Sequence, residues 1–324
     1  MWYNNIMKTY RKLNNLTGIK SACIITHIQP DADAIASSVV LRDFLKTYFK
    51  INTVDIFAEY SSLSEGCFDI LGKLTLNKTA KNYNLAIMLD SPNIERLGIY
   101  KQLFEKAKLK IVIDHHETNM YQGNINIVET ISSTCEIIYK ILSFYKYDIS
   151  NKNKANLYAG IITDTNNFTV GKITSKTFEI ASKFENYINR EEIYNKFLAN
   201  NSLKNMQLLS LAIQNTVTFN HGEIVISHIT HEEAKKYKAT FDDFYGIINK
   251  LATINTAKLI CFIKPKNDYY YVGMRARKNT KVSEIAKKHG GGGHMGAAAF
   301  ESNKPLKEIE QLILNEFRKE LKVL

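Results

Sequence analysis

The sequence contains no long hydrophobic run. No apolar stretch among its 324 residues approaches the roughly 18–20 residues needed to span a bilayer, so we expect no transmembrane helix. The N-terminal segment MWYNNIMKTYRKLNN has neither a continuous apolar core nor a small-residue cleavage site, and we expect no export signal. These absences favour a soluble protein of the cytoplasm.

Cysteine is scarce and widely spaced. The four cysteines, Cys23, Cys67, Cys135 and Cys261, lie far apart, and no two of them form a CxxC pair. Cys23 and Cys261 lie in apolar, strand-like runs, where free cysteine behaves as a small buried hydrophobe. A disulfide framework requires dense spacing and an oxidising compartment. We therefore expect reduced thiols that serve in packing.

The composition excludes whole classes of protein. Hydrophobic residues make up 45% and charged residues 23%, close to the globular average, which excludes general disorder and fibrous repeats. The net charge of +11 favours a polyanionic partner or substrate, because a basic surface concentrates phosphate-bearing ligands. Lysine is spread along the chain without a dense basic block, however, so charge alone does not identify the partner.

The first half of the chain alternates strand and helix signals. Short apolar runs, each closed by a polar or acidic residue, predict strands at 21–27, 53–57, 85–90 and 110–116. Helical signals occur at 33–49, 132–146 and 151–163. Strands separated by helices imply right-handed crossovers and a largely parallel sheet. We therefore expect an α/β domain with helices on both faces of a parallel sheet.

The second half has a different pattern. Hairpin signals occur at 220–222 and 265–268. They are followed by a predicted helix at 281–288, a short strand at 297–301 and an amphipathic helix from Pro305 onward, which together predict a smaller α+β domain. The stretch between the halves is helical and polar, with few strand signals. We expect a sheet domain over 1–185, a helical linker over 186–212 and the smaller domain over 213–324.

Acidic and histidine side chains gather at the ends of the predicted strands. Ligands of open parallel sheets bind beyond the carboxyl ends of the strands. Five carboxylates and three imidazoles lie at those ends, at the start of the first helix or at the end of the run AGIIT: His27, Asp31, Asp33, Asp90, Asp114, His115, His116 and Asp164. We expect these side chains to converge on one edge of the sheet.

Cations would stabilise such a cluster. Carboxylates that face one another without a counter-charge repel, which raises some of their pKa values. Oxygen and imidazole donors without thiolate suit Mn²⁺ or Mg²⁺, with Zn²⁺, Co²⁺ and Fe²⁺ as alternatives. About six ligands favour two ions roughly 3.5–4 Å apart over a single ion. Any one of these aspartates, taken singly, is more often a helix N-cap or a turn residue.

A run of four glycines, Gly290–Gly293, follows the helix predicted at 281–288. Glycine permits positive φ and the close approach of a ligand, and successive amides can form an anion nest. The alternative is a helix C-cap followed by a flexible loop. Arg275 on the preceding strand can hold a phosphate through two parallel hydrogen bonds, and His294 follows the glycines. Together these residues favour phosphate binding by this segment.

Several segments resemble known motifs. HIQPDADAIASS, LDSP, IDHHETN and GIITDTNNF resemble motifs one to four of the DHH phosphoesterase superfamily, in order along the chain. GMRARKNTKVSEIAKKHGGGGH resembles the signature of its C-terminal DHHA1 domain. Two positions depart from the family pattern, since Ala36 and Ala299 stand where the family often has glycine. The departure at Ala299 bears on the shape of the substrate pocket.

The resemblance implies a role for each candidate residue. Asp114 and His116 would be catalytic, Asp114 by orienting a histidine and His116 by facing the substrate phosphate or the attacking water. Substrate would be bound by Arg275 and His294, beside Gly291, Gly292 and Gly293. Mn²⁺ is the expected ion, with Mg²⁺ or Co²⁺ as alternatives. The implied metal ligands, in two groups joined by a bridging Asp90, are His27 and Asp31 for one ion and Asp33, His115 and Asp164 for the other.

The resemblance is greatest to small two-domain enzymes that act as oligoribonucleases and as 3′-phosphoadenosine 5′-phosphate (pAp) phosphatases. It implies hydrolysis of short RNA oligonucleotides or nucleotide bisphosphates with two divalent cations and, by analogy, a homodimer. Alternatives of the same fold are a cyclic di-AMP or pApA phosphodiesterase and a RecJ-like single-strand DNA exonuclease, whose chains are longer. A catalytically silent nucleotide-binding module is an alternative of another class, but it would lack metal ligands, and none is missing.

Overall fold

The computed structural model describes residues 2–60, 82–199, 201–277 and 280–322, with the backbone alone at residues 2–6 and at His294. The chain divides into two compact units, Met1–Asn200 and Asn201–Leu324. The division falls inside the segment expected to be a helical linker. Cys67 lies outside the described residues, and the other three cysteines are buried free thiols.

The first unit contains a five-stranded sheet in the order β2-β1-β3-β4-β5, in which every neighbouring pair is parallel. Its strands are β1 (Ser21–Ile25), β2 (Thr53–Phe57), β3 (Leu85–Leu89), β4 (Leu109–Asp114) and β5 (Ile125–Val128). The α-helices described in this unit are α1 (Trp2–Arg11), α2 (Ala32–Thr47), α3 (Lys101–Lys106), α4 (Thr134–Phe144), α5 (Asn151–Asp164), α6 (Ser175–Phe184) and α7 (Arg190–Phe197). The predicted α/β architecture is confirmed.

Both faces of this sheet are buried, which explains why its strands are almost entirely apolar. Successive side chains of a strand point to opposite faces. In β1, Ile24 belongs to the core cluster formed with α2, α4 and α5, whereas Cys23 and Ile25 pack with Leu97 and Phe104. The central strand β3 is therefore apolar at every position, whereas the edge strands β2 and β5 each carry one half-buried polar residue, Asp55 and Asn126, within the strand.

Two local features differ from the expectation. β5 is not among the strands expected from the sequence, because four residues are too few to show a clear alternation. The strand expected at 110–116 ends at Asp114, so that His115 and His116 lie in the loop that follows β4. Because they lie outside the strand, the side chains of the two histidines can turn toward neighbouring side chains.

The second unit contains a six-stranded sheet in the order β10-β11-β9-β8-β7-β6, in which β7 and β8 are parallel and the other pairs are antiparallel. Its strands are β6 (Val217–Phe219), β7 (Ile224–His228), β8 (Leu259–Lys266), β9 (Tyr269–Ala276), β10 (Gly292–His294) and β11 (Ala297–Ser302). The α-helices described here are α8 (Leu203–Gln214), α9 (His231–Lys236), α10 (Ile247–Leu251), α11 (Ser283–Lys288) and α12 (Leu306–Leu321). The smaller α+β domain is confirmed.

The helices of the second unit also cover two faces of its sheet. Cys261 and Ile263 of β8 pack in one cluster with Ile285 and Phe317, whereas Phe262 packs in another cluster with the apolar residues of α8 and α10. Within the described ranges, no helix is both long and apolar enough to cross a membrane.

Candidate metal centre

The polar side chains at the carboxyl ends of β1, β3 and β4 meet at one edge of the first sheet. These three strands are neighbours, and the side chains they carry are joined by others from the start of α2 and the end of α5. Seven of the eight candidate residues fall into three overlapping groups that could hold a metal ion. Within each group, one ligand atom per residue lies within 4.8 Å of the others: Asp90, His115 and His116; His27, Asp31 and Asp90; Asp33, His115 and Asp164.

The first ion position is outlined by His27, which follows β1. Its Nε2 lies 3.8 Å from Asp90 Oδ2 and 4.0 Å from Asp31 Oδ2. Its Nδ1 lies 2.9 Å from the Ile28 carbonyl oxygen, which assigns the proton to Nδ1 and leaves Nε2 free to bind a cation. Asp31 is also the N-cap of α2, since its Oδ1 accepts from Ala34 N–H at 3.0 Å. One aspartate thus serves both as a cap and as a candidate ligand.

The second ion position is outlined by His115, in the loop after β4. Its Nε2 lies 3.4 Å from Asp164 Oδ2 and 3.5 Å from Asp90 Oδ1. Its Nδ1 lies 3.2 Å from the Ile131 carbonyl oxygen, an arrangement that again directs Nε2 toward the carboxylates. Asp164 is the last residue of α5, where its side chain remains 26% exposed.

Asp33 completes the second position from the first turn of α2, and it is fixed by another helix. Its Oδ2 accepts from Thr134 N–H at 2.7 Å and its Oδ1 from Cys135 N–H at 2.9 Å. Both donors belong to the first turn of α4, where amides lack partners within the helix and favour negative charge. The remaining lone pairs of the buried Asp33 carboxylate are available to a cation.

Asp90 lies between the two positions. Its Oδ2 is turned toward His27 and its Oδ1 toward His115, and Oδ1 also accepts from the Thr134 hydroxyl at 2.8 Å. The backbone of Asp90 is left-handed, with φ of +54°, a conformation that costs a non-glycine residue about 1–2 kcal/mol. Such strain is concentrated at functional sites, where surrounding contacts hold it in place.

Asp114 lies behind the cluster and does not contact the ion positions directly. It is fully buried, and its Oδ1 lies 2.7 Å from His116 Nδ1. Its Oδ2 accepts from Asn119 Nδ2 at 2.6 Å. The carboxylate therefore fixes the His116 ring, and the His116 side chain remains 37% exposed. This is the relation that the resemblance implies for the pair.

The electrostatics of the cluster favour the binding of cations. Burial raises the pKa of the Asp33, Asp90 and Asp164 carboxyls, and nearby carboxylates raise these pKa values further. The pKa of Asp164 reaches about 7. Burial lowers the pKa of His115, but the nearby carboxylates, Asp90 and Asp164 foremost, and the hydrogen bond to the Ile131 carbonyl oxygen together raise it above its ordinary value. Divalent cations would replace the protons that such a cluster otherwise binds near neutral pH.

Gly160 in α5 makes room for Asp33. A Cβ at this position would lie 2.3 Å from Cys135 Sγ and 2.8 Å from Asp33 Oδ1. Both distances are far below ordinary non-bonded contacts of about 3.5–4.0 Å. The close approach of α5 to the starts of α2 and α4 thus requires glycine.

Arg275 in the second unit is held in place by its neighbours. Its Nε donates to Asn249 Oδ1 at 3.2 Å and its Nη1 donates to the Met274 carbonyl oxygen at 3.1 Å. Burial lowers the pKa of the Arg275 guanidinium, but the side chain is not fully enclosed. Arg277 faces elsewhere, since its Nη1 donates to the Ala252 carbonyl oxygen at 2.8 Å.

The glycine run is part helix cap and part strand. Gly290, with φ of +79°, lies two residues after the end of α11, and β10 begins at Gly292 and pairs with β11. A Cβ on Gly291 would lie 2.1 Å from the Ala299 carbonyl oxygen, and one on Gly293 would lie 2.5 Å from the Ala297 carbonyl oxygen. A Cβ on Gly292 would meet nothing within 4 Å. Two of the three glycines expected to bind substrate are therefore required by packing against β11, and Gly292 alone of these three has open space. The side chain of His294 lies outside the described part of the structure.

Two sequence profiles match the chain. The DHH family, N-terminal domain, matches residues 21–163, and the DHHA1 domain matches residues 222–322, which together cover about three quarters of the chain. The chain belongs to the DHH family. The resemblance of its motifs is thereby confirmed, and so is its assignment as a DHH phosphoesterase.

One curated relative and two solved structures are similar to this chain. A protein of Streptococcus mutans, named "Probable bifunctional oligoribonuclease and PAP phosphatase NrnA", is 28% identical over 278 residues, which cover 85% of this chain and 87% of that protein. An exopolyphosphatase-related protein from Bacteroides fragilis has a similar crystal structure, with a TM-score of 0.86, 22% identity, and coverage of 98% of this chain and 96% of that chain. The exonuclease RecJ bound to manganese matches with a TM-score of 0.56 and 12% identity over 98% of this chain and 94% of that chain. These two structures share the fold of this DHH protein.

Three residues that position the cluster were not expected from the sequence. Thr134 donates to Asp90, which lies 44 positions earlier, and Gly160 leaves room for Asp33 of another helix. Asn119 donates to Asp114, five positions earlier. The sequence predicts Ser132, Ser133 and Thr134 as N-cap residues, with a phosphate contact as a secondary alternative, and Ser133 is indeed the cap of α4. Nothing in the sequence of this DHH protein distinguishes the neighbouring Thr134 as a partner of Asp90.

Proposed function

We propose that this DHH phosphoesterase hydrolyses short RNA oligonucleotides to mononucleotides, removes the 3′-phosphate of pAp, and uses two divalent cations to do so. The observation that carries the proposal is the juxtaposition, at Asp90, of two groups of candidate ligands; the two Asp90 oxygens face His27 and His115 respectively. The name of the Streptococcus mutans relative, which includes both activities, supports the choice of substrates.

The donor chemistry of the cluster fits divalent cations. Carboxylate oxygens and imidazole nitrogens supply all the ligand atoms of the three groups, and these donors suit Mn²⁺, Mg²⁺ and Co²⁺. Mn²⁺ is the first choice, and the RecJ structure bound to manganese supports it. When bound, two such ions lower the pKa of water and offset the charge of phosphoryl oxygens. His27, Asp31 and Asp90 would hold one ion, and the other would be held by Asp33, His115 and Asp164, with Asp90 between.

His116 is placed to contact the substrate. Asp114 occupies its Nδ1, which leaves Nε2 for a ligand, and the ring is partly exposed. Burial lowers the pKa of His116, but the hydrogen bond to Asp114 and the negative charges of Asp114 and Asp90 together raise it by more, so the ring carries a proton up to a higher pH than an ordinary histidine. A protonated His116 donates a charge-assisted hydrogen bond to a phosphate oxygen. Asn119 keeps Asp114, and through it the ring, in a fixed orientation.

The phosphate at the end of the nucleotide is assigned to Arg275 and Gly292. Asn249 and the Met274 carbonyl orient the guanidinium, so little conformational entropy is lost when it binds a phosphate through two hydrogen bonds. Gly292 lets a ligand approach the backbone of β10 without meeting a side chain. His294 is a further candidate on the family pattern.

The test is a substrate panel with the purified chain. With Mn²⁺, a labelled RNA dinucleotide should yield mononucleotides and pAp should yield AMP, and Asp90→Asn should remove both activities without unfolding the protein. Absence of hydrolysis with Mn²⁺, Mg²⁺ and Co²⁺ would refute the proposal. Preferred turnover of pApA, cyclic di-AMP or single-stranded DNA would assign another substrate to the same centre, and binding without turnover would indicate a silent module.

A further inference from the structure

Thr134, the first residue of α4, contacts two carboxylates that come from different parts of the chain. Its backbone N–H donates to Asp33 Oδ2 at 2.7 Å, and its hydroxyl donates to Asp90 Oδ1 at 2.8 Å. The two acceptors lie 101 and 44 positions earlier in the sequence. All three residues are buried. Thr134 thus connects Asp33 to Asp90, the aspartate that the two ion positions share.

The hydroxyl contact restricts how Asp90 can rotate. A free carboxylate turns about its last torsion easily, because such sp³–sp² torsions are broad. Asp90 must present Oδ2 toward His27 and Oδ1 toward His115 at once. The Thr134 hydroxyl donates a hydrogen bond to Oδ1, the oxygen on the His115 side. This bond fixes the plane of the carboxylate, so that each of its oxygens faces one ion position.

The start of α4 is itself held in place by hydrogen bonds, so it can fix the orientation of the carboxylates that it contacts. Ser133 caps the helix by accepting from Glu136 N–H at 3.1 Å. The buried Glu136 carboxylate accepts in turn from the hydroxyls of Ser132 and Thr177, the latter at 2.9 Å. Thr134 therefore stands in a buried frame that ties α4 to α6 through side-chain hydrogen bonds.

We propose that Thr134 is a positioning residue of the two-ion centre, orienting the bridging Asp90 through its hydroxyl while its amide orients Asp33. It does not touch the substrate. The role rests on the proposed centre and goes beyond it, since it assigns a determinant of ion affinity outside the ligand set. Partners that orient ligands typically contribute about 10–100-fold in metal affinity.

The experiment titrates Mn²⁺ into the full chain by calorimetry and records the electron paramagnetic resonance spectrum of the loaded protein. Thr134→Val keeps the shape and the amide but removes the hydroxyl, and should weaken Mn²⁺ binding by about 10–100-fold and alter the spin coupling of the ion pair. Thr134→Ser should restore both readouts. Ser133→Ala is the matched control, because it removes the cap of the same helix, lowering Tm by about 2–4 °C, without touching Asp90.

The outcomes separate positioning from packing. Wild-type Mn²⁺ affinity and spin coupling in Thr134→Val, even with a lower Tm, would overturn the role; if that variant does not fold, Thr134→Ala gives the same comparison. Equal losses of affinity in Thr134→Val and Ser133→Ala would also overturn it, because the effect would then follow helix stability. A wild-type chain that binds no Mn²⁺ would refute the proposed centre itself, whereas two bound ions and an insensitive Thr134→Val would refute only the positioning role.

Discussion

Gly160 provides a test of how closely the helices around Asp33 are packed. The substitution Gly160→Ala adds one methyl group inside α5, where it would lie 2.3 Å from Cys135 Sγ and 2.8 Å from Asp33 Oδ1. Ordinary non-bonded contacts are about 3.5–4.0 Å, so the sulfur would have to move by more than about 1 Å. Neither neighbour has free space, because both are fully or nearly fully buried.

The expected loss of stability follows from two opposing terms. Overpacking of a buried site costs about 1–3 kcal/mol. Alanine in place of glycine recovers up to about 1 kcal/mol of helix propensity. We therefore expect Gly160→Ala to lower the free energy of unfolding by about 1–2 kcal/mol and to displace the Asp33 carboxylate from the second ion position. Urea denaturation and calorimetric Mn²⁺ titration measure these two effects separately.

A second substitution separates the effect of the contact with Cys135 from that of the contact with Asp33. Cys135→Ala removes the sulfur, so Gly160→Ala combined with Cys135→Ala should be more stable than the sum of the single effects predicts, by a coupling of about 0.5–3 kcal/mol. The contact with Asp33 Oδ1 at 2.8 Å remains in the double variant, so its Mn²⁺ affinity should stay low. Wild-type stability and full binding of two ions by Gly160→Ala alone would refute the reasoning.

Three further predictions concern substrate, ions and pH. Arg275→Lys keeps the positive charge but loses the planar guanidinium, so KM for an RNA dinucleotide should rise about tenfold or more while the Mn²⁺ affinity stays unchanged. An unchanged KM would show that Arg275 does not bind the substrate. In EDTA, Tm should be higher at pH 5.5 than at pH 8. A carboxyl whose folded pKa is raised, to about 7 for Asp164, stabilises the fold at low pH and loses that contribution as pH rises through 7. Asp164→Asn should reduce this difference in Tm, and an undiminished difference would assign it to other groups. Burial lowers the pKa of Lys264 to about 8, so its unfavourable contribution is largest below pH 8 and disappears by about pH 10.5. Urea denaturation should therefore show Lys264→Met to be more stable than wild type at pH 7, and a less stable variant would mean that the contact of Lys264 Nζ with the Phe241 ring, at 3.7 Å, outweighs burial.

The parallel sheet and its functional edge could be predicted because both depend on local patterns. Apolar runs that end in Asp90 or in Asp114 identify strands by their composition, and parallel strands place their carboxyl ends together. The short strand β5 carried too few residues for this signal. The glycine run was ambiguous for another reason, since local sequence does not show that Gly291 and Gly293 lie against the backbone of β11.

The residues that support the ligands could not be predicted in the same way. Thr134 and Gly160 act on aspartates that lie more than 40 positions away, and the sequence around each of them is that of an ordinary helix start or helix interior. Their roles arise only when α2, α4 and α5 pack together. Candidate ligands could thus be named from the sequence by chemical type, whereas the groups that hold them required the tertiary structure.

The most direct test of the two-ion centre is anomalous diffraction from crystals of the protein grown with Mn²⁺. We expect two anomalous peaks roughly 3.5–4 Å apart, with Asp90 between them, one beside His27 and Asp31 and the other beside Asp33, His115 and Asp164. A single peak, or peaks that do not share Asp90, would contradict the account.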